Sequence, residues 1–135
     1  MKRIVSTLSI LVALSITAGA QTQRTDSWDG YVQRGRVKVR AGGSGWFVNG
    51  QSASHTEENY DSADMARYIL TRLKGKMRLA SEILPNAGSV QVKVTKRRNS
   101  VRVAWVCGTD LHYFESKSYA AVVTLLARSN LQECH

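Results

Sequence analysis

Three short runs of alternating apolar and polar residues follow one another between positions 90 and 116, and brief polar turns separate them. Such alternation is typical of strands that bury one face. Connections this short join antiparallel neighbours, because parallel strands need a long crossover. The sequence therefore predicts a three-stranded antiparallel meander, with strands at 90–95, 101–107 and 111–115.

A helix is predicted on each side of this meander. Between Ser62 and Leu84 an apolar stripe recurs every three or four residues, Asp61 can cap the first turn, and Pro85 ends the pattern. A second helix is predicted from about Ser118 to Ser129. The stripe of the first helix is formed by Met65, Ile69, Leu73, Met77, Ala80 and Leu84. The predicted fold class is α+β, in α-β-β-β-α order, with a three-stranded antiparallel sheet packed with two helices on one of its faces.

One or two short N-terminal strands are expected before this core. Residues 31–40 alternate and predict a strand with one basic, solvated face. Residues 46–48 form a second apolar run, closed by Asn49 and Gly50, a favoured hairpin turn. The polar residues 21–30 are interpreted as a flexible N-terminal segment, and residues 51–60 as a loop. Residues 31–135 are therefore predicted to form a single α+β domain.

Residues 1–20 have the pattern of a secretory signal peptide. Lys2 and Arg3 precede an uncharged apolar run, and Ala18, Gly19 and Ala20 supply the small residues that signal peptidase accepts. We expect cleavage after Ala20 and a secreted or periplasmic protein. Beyond that site no apolar segment reaches the roughly 20 residues that a membrane helix needs, so we expect no transmembrane segment in the mature chain.

The chain contains two cysteines, Cys107 and Cys134. In an exported protein an even pair predicts a disulfide bond. Such a bond would fix the C-terminal segment to the end of a strand and stabilise the domain by roughly 3.5 kcal/mol.

The charge of the chain is strongly basic. The formal net charge is +9, and without Lys2 and Arg3 there remain 17 Lys and Arg against 10 Asp and Glu, or +7. Such a surplus favours contact with polyanions, although a merely solvated basic surface fits it as well. The leading hypothesis is an exported, non-catalytic binding protein that contacts an anionic polymer or an acidic protein, in the cell envelope or outside the cell. The candidate binding residues are Arg34, Arg36, Lys38, Arg40, Arg97, Arg98 and Arg102.

Two alternatives remain open. A small secreted phosphodiesterase or ribonuclease could use His55 or His112 as acid or base. An envelope inhibitor or accessory subunit could bind its partner through a loop at residues 42–60.

Cofactor and metal chemistry are not predicted. His55, Glu57 and Glu58 are potential metal ligands, but their spacing matches no metal-binding motif. The glycines at 42–45 lack the Lys-Ser/Thr ending of a phosphate-binding loop. We therefore assign no catalytic residue, no metal site and no cofactor from the sequence.

Overall fold

The computed structural model describes residues 21–134, so the predicted signal peptide lies outside the described residues. These residues form seven strands and two helices. The strands are β1 (Thr22–Arg34), β2 (Val37–Val48), β3 (Gln51–Asn59), β4 (Lys76–Leu79), β5 (Gln91–Lys96), β6 (Val101–Cys107) and β7 (Asp110–Ser116), and the helices are α1 (Ala63–Arg72) and α2 (Tyr119–Ala127). One antiparallel sheet dominates the fold, with strands in the order β1-β2-β3-β7-β6-β5-β4. Short 3₁₀ turns follow β4 and α2.

The predicted three-stranded sheet with α-β-β-β-α order is wrong, because the sheet has seven strands. Residues 21–30 and 51–60, interpreted as a flexible segment and a loop, belong to β1 and β3 with the exception of Gln21 and Tyr60. Most side chains of β1 are exposed, and β3 is polar even at two of its buried positions, Thr56 and Glu58. Backbone pairing with the neighbouring strands therefore holds these segments more than apolar burial does. The predicted loop at 42–60 is therefore the β2–β3 hairpin, which turns at Asn49 and Gly50 with positive φ angles.

The long helix predicted from Ser62 to Leu84 ends at Arg72. Ser62 caps its N-terminus by accepting a hydrogen bond from the Met65 amide at 3.0 Å. Gly75 then adopts a φ of +125°, which a side chain would strain, and the next residues pair with β5 as strand β4. The apolar stripe therefore continues past the end of the helix into a short strand.

The two helices lie on opposite faces of the sheet, and the expectation that they share one face is wrong. On the face covered by α1, Ala66 and Leu70 pack with Ala104 and Leu111. On the face covered by α2, Val122 and Leu126 belong to a larger core. That core includes Val92, Val103, Trp105 and Phe114. We call these the α1 face and the α2 face.

Cys107 and Cys134 form a disulfide bond, with their Cα atoms 4.5 Å apart. It ties the segment after α2 to the end of β6, as the sequence predicts, and it is compatible with an extracellular protein. Among residues 21–134, no helix is long and apolar enough to cross a membrane.

Candidate functional site

The seven candidate binding residues do not form one surface. Residues 31–40 are not one strand, because the chain reverses at Gly35 and Arg36 and pairs Arg34 with Val37. Side chains alternate between faces along β1 and β2, so Arg34 lies on the α1 face whereas Lys38 and Arg40 lie on the α2 face. Arg97 and Arg98 lie in the β5–β6 turn, and Arg102 enters the α1 face from β6.

Arg34 is engaged in an ion pair with the fully buried Glu58. Its Nε donates to Glu58 Oε1 at 2.9 Å and its Nη2 to Glu58 Oε2 at 2.5 Å. The Tyr60 hydroxyl donates to the same carboxylate at 2.6 Å. The hydrogen bonds to Glu58 raise the pKa of Arg34 above its usual range. This partly exposed guanidinium is therefore already paired within the protein.

Two of the seven candidates, Arg97 and Arg102, join other basic side chains that line a pocket of about 580 Å³ on the α1 face, where α1 ends beside β5 and β6. We call it the basic pocket. No acidic residue is among its lining residues in the described chain. The cationic lining residues are Arg72, Lys74, Lys96, Arg97 and Arg102.

The end of helix α1 would normally bring negative partial charge to this pocket, but its carbonyl groups are already satisfied. Lys93, which is buried, donates to the carbonyl oxygens of Thr71 and Leu73, each at 3.0 Å. The Thr95 hydroxyl donates to the Lys74 carbonyl at 2.5 Å. Because these donors neutralise the helix terminus, the pocket keeps its positive potential.

Arg102 lies at the bottom of the basic pocket and is buried, with 9% of its surface exposed. Its guanidinium lies 5.1 Å from the centre of the Tyr113 ring. Its Nε atom has no hydrogen-bond partner among residues 21–134. Burial, followed by the charge of Arg97, lowers the pKa of Arg102. Glu115 stands opposite Arg102 on β7, but its carboxylate contacts Ser100 at 2.9 Å and Arg97 at 3.8 Å.

The two histidines meet on the α2 face, far apart in sequence but adjacent in space. His55 Nε2 lies 3.0 Å from His112 Nδ1, and the two rings are nearly parallel. His112 stacks on the buried Trp105, and Phe114 contacts both His55 and Trp105. The aromatic packing fixes both imidazoles in orientation.

Glu57 completes this group, because it stands directly opposite His112 in the β3–β7 pairing. One ligand atom from each of His55, Glu57 and His112 lies within 4.8 Å of the others. Glu58, the other acid considered from the sequence, faces the opposite side of the sheet. Because side chains alternate between faces along β3, the carboxylates of Glu57 and Glu58 lie on opposite sides of the sheet.

A cleft of about 610 Å³ opens beside these residues, and we call it the histidine cleft. Gly42 and Ser44 are the β2 neighbours of Glu57 and His55, so little side-chain volume fills the space next to them. Arg24, Asp29 and other β1 residues form its far wall.

Burial sets the protonation of this cluster. It lowers the pKa of His55 to about 4, with further contributions from His112 and Arg24, and it lowers the pKa of His112. Burial also raises the pKa of Glu57, helped by the neighbouring Asp110. Both imidazoles are therefore neutral at pH 7, the form that accepts a hydrogen bond or a metal ion rather than donating a proton to a substrate.

No family model, no curated protein and no solved structure gives a significant match to this chain. Evidence on function therefore comes from the two sites themselves.

The sequence did not indicate either site as it stands. Lys74 and Lys96 join the basic pocket through the pairing of β4 with β5, and His112 joins His55 through a strand pairing across more than fifty residues. The signal that could have helped to find the histidine pair is the alternation of side chains along β3 and β7. It places His55 and Glu57 on one face of β3, and His112 and Phe114 on one face of β7.

Proposed function

We propose that this chain is an exported, non-catalytic binding protein that takes an anionic group of its partner into the basic pocket. The group is a phosphate, sulfate or carboxylate of a polymer or acidic protein. Export rests on the predicted signal peptide together with the Cys107–Cys134 disulfide.

The observation that carries the proposal is the buried side chain of Arg102, whose Nε has no hydrogen-bond partner among the described residues. A buried cation without a hydrogen-bonded anion is costly, so such groups are normally paired. Here the Nε donor is free in the described chain, and the neighbouring charges are mainly positive. A planar guanidinium offers paired N–H groups that match the oxygens of phosphate, sulfate and carboxylate groups. An incoming anion would therefore supply the missing negative charge beside this guanidinium.

Lysines at the rim would add attraction that depends on ionic strength. Lys74 and Lys96 are exposed at the mouth of the pocket. Each phosphate contact made by such a side chain releases a counterion from a polyanion, so affinity falls as salt rises. With four contacts to a single strand, affinity should fall about 50-fold between 50 and 200 mM NaCl.

The phosphodiesterase alternative remains a prediction with less support. His55 and His112 are close enough to cooperate, but the pKa of His55, near 4, leaves it unprotonated at neutral pH. A general acid works best with a pKa near the operating pH.

Fluorescence anisotropy with a labelled single-stranded oligonucleotide and a labelled heparin oligosaccharide tests the proposal. Lys74→Gln/Lys96→Gln removes two charges from the pocket rim, and Lys38→Gln/Arg40→Gln removes two from the opposite face. The first double variant should reduce the slope of log affinity against log salt by about 1.4 for the oligonucleotide, since each contact contributes about 0.7. The second should leave that slope unchanged.

The outcomes separate a defined pocket from diffuse attraction. Equal loss in the two double variants would show that net charge alone drives binding, and the basic pocket would be rejected. Absence of salt-dependent binding to both probes by the wild-type chain would reject the proposed function as a whole.

A further inference from the structure

We infer that His55, Glu57 and His112 form a binding site for one divalent transition-metal ion, with Zn²⁺ as the reference ion. The site lies on the α2 face, away from the basic pocket, and goes beyond the proposed function. It rests on independent residues, so either proposal can fail while the other holds.

The spacing of the two imidazole nitrogens already suits a shared ion. Zinc binds histidine nitrogen at about 2.0–2.1 Å, so two nitrogens on a tetrahedral ion lie about 3.3 Å apart. His55 Nε2 and His112 Nδ1 are 3.0 Å apart. An ion at bonding distance from both would sit about 1.4 Å from the line that joins them. Without the ion these two nitrogens form a hydrogen bond, so binding requires its proton to move to the other ring nitrogen of the same histidine and each ring to turn its lone pair toward the ion.

Glu57 supplies a third ligand of the right kind. Its carboxylate is within 4.8 Å of both histidine nitrogens, and it shares their face of the sheet. Two histidines and one carboxylate with a position left open form a ligand set that suits zinc and other late first-row ions. Mg²⁺ and Ca²⁺ prefer an all-oxygen shell, which this cluster lacks.

The surroundings hold the ligands in place and leave room for a fourth one. Trp105 and Phe114, both buried, pack against the imidazole rings and restrict their rotation. Asp110 lies beside Glu57 and is held by Asn59, whose amide donates to it at 2.6 Å. Two carboxylates side by side repel when charged, and a dication would relieve that repulsion. The histidine cleft next to them gives water or a partner group access to the ion.

Titration calorimetry on the full chain, purified without a histidine tag and stripped with a chelator, tests the site. Zn²⁺ should bind with 1:1 stoichiometry and micromolar or tighter affinity, and Mg²⁺ should not compete. His55→Gln or His112→Gln should weaken Zn²⁺ binding at least about 100-fold, because even groups that only orient a metal ligand contribute about 10–100-fold. Glu57→Gln should weaken it about 10-fold. Glu133→Gln is the matched control, because it removes an exposed carboxylate that is not part of the cluster, and it should leave the Zn²⁺ affinity unchanged.

A second measurement keeps the test decisive if a histidine variant fails to fold. Zn²⁺ added to the ¹⁵N-labelled wild-type protein should shift the imidazole nitrogen resonances of His55 and His112 and saturate at one equivalent. Unchanged resonances at saturating Zn²⁺ would overturn the inference. So would Zn²⁺ affinity that is indifferent to both histidine substitutions in folded variants, or Mg²⁺ binding of equal strength.

Discussion

Arg102 and Arg34 enter the same face of the sheet with opposite surroundings, so replacing each by methionine should change stability in opposite directions. Arg102 has an Nε without a partner in the described chain, whereas Arg34 pairs with the fully buried Glu58. Methionine keeps much of the apolar stem of arginine, so the substitutions remove mainly the charged group.

Arg102→Met has one stabilising and one destabilising effect on the free energy of unfolding, and their magnitudes can be compared. Removing an unsatisfied buried donor recovers about 1–3 kcal/mol of desolvation cost. Losing the contact with the Tyr113 ring forfeits about 0.5–1 kcal/mol. We expect a net stabilisation of about 1 kcal/mol, together with loss of polyanion binding. A group that destabilises the fold while serving its site is the usual signature of function.

For Arg34→Met, the charge of Glu58 would remain buried without its cation. Breaking a buried pair by removing one partner costs about 3–5 kcal/mol. The Arg34 side chain is 28% exposed, so water can reach part of the vacated space, and we expect about 3 kcal/mol.

Urea unfolding at pH 7 with the disulfide intact, followed by tryptophan fluorescence, measures both effects. With a urea slope near 1.5 kcal/mol per molar, the midpoint should rise by about 0.7 M for Arg102→Met and fall by about 2 M for Arg34→Met. A loss of more than 1 kcal/mol in Arg102→Met would mean that the guanidinium has a structural partner, and the physical basis of the basic pocket would be refuted.

Two further predictions concern the histidine cleft and the disulfide. Gly43→Ala should destabilise the chain by about 1–3 kcal/mol, because its new Cβ would lie 2.6 Å from Trp28 Nε1 and 2.5 Å from the His55 carbonyl oxygen. Gly30→Ala, in an open position, is the control and should be neutral or slightly stabilising in the same thermal melt. Replacing Cys107 and Cys134 by Ser should cost about 2–5 kcal/mol in urea unfolding, and a change below 0.5 kcal/mol would contradict a stabilising role for the bond.

The sequence predicted strands and helices where buried apolar residues recur at regular spacing. It missed strands that are held mainly by backbone pairing. Val92, Val94 and Val103 belong to the core on the α2 face, and they alternate with polar residues of the α1 face, namely Lys93, Thr95 and Arg102. In β1 most side chains face solvent, and in β3 polar residues occupy even buried positions such as Thr56 and Glu58, so the polarity of both segments resembles that of a loop and hides the strands. Met77 continued the helical stripe only because the short strand β4 also turns an apolar residue inward.

The candidate sites were harder to predict, because both depend on contacts between distant segments. Sequence spacing could not show that Arg34 meets Glu58 or that His55 meets His112, since each contact requires the sheet order. The alternation of residues 34–40 suggested that their basic side chains share one face of a strand. That interpretation was misleading, because the chain reverses at Gly35. The composition gives the excess of positive charge, but the order of the strands in the sheet determines where the basic side chains come together.

The β3–β7 pairing also shapes how the chain must fold. It joins two meanders, β1–β3 and β5–β7, whose internal turns are short and can close within microseconds. Between β3 and β7 lie about fifty residues, and closing a loop of that length costs roughly 3.5 kcal/mol of chain entropy before any contact compensates. The contact between His55 and His112 crosses this junction, so the proposed metal site can exist only after the two halves have docked. An ion held there would bind the docked chain and slow its separation.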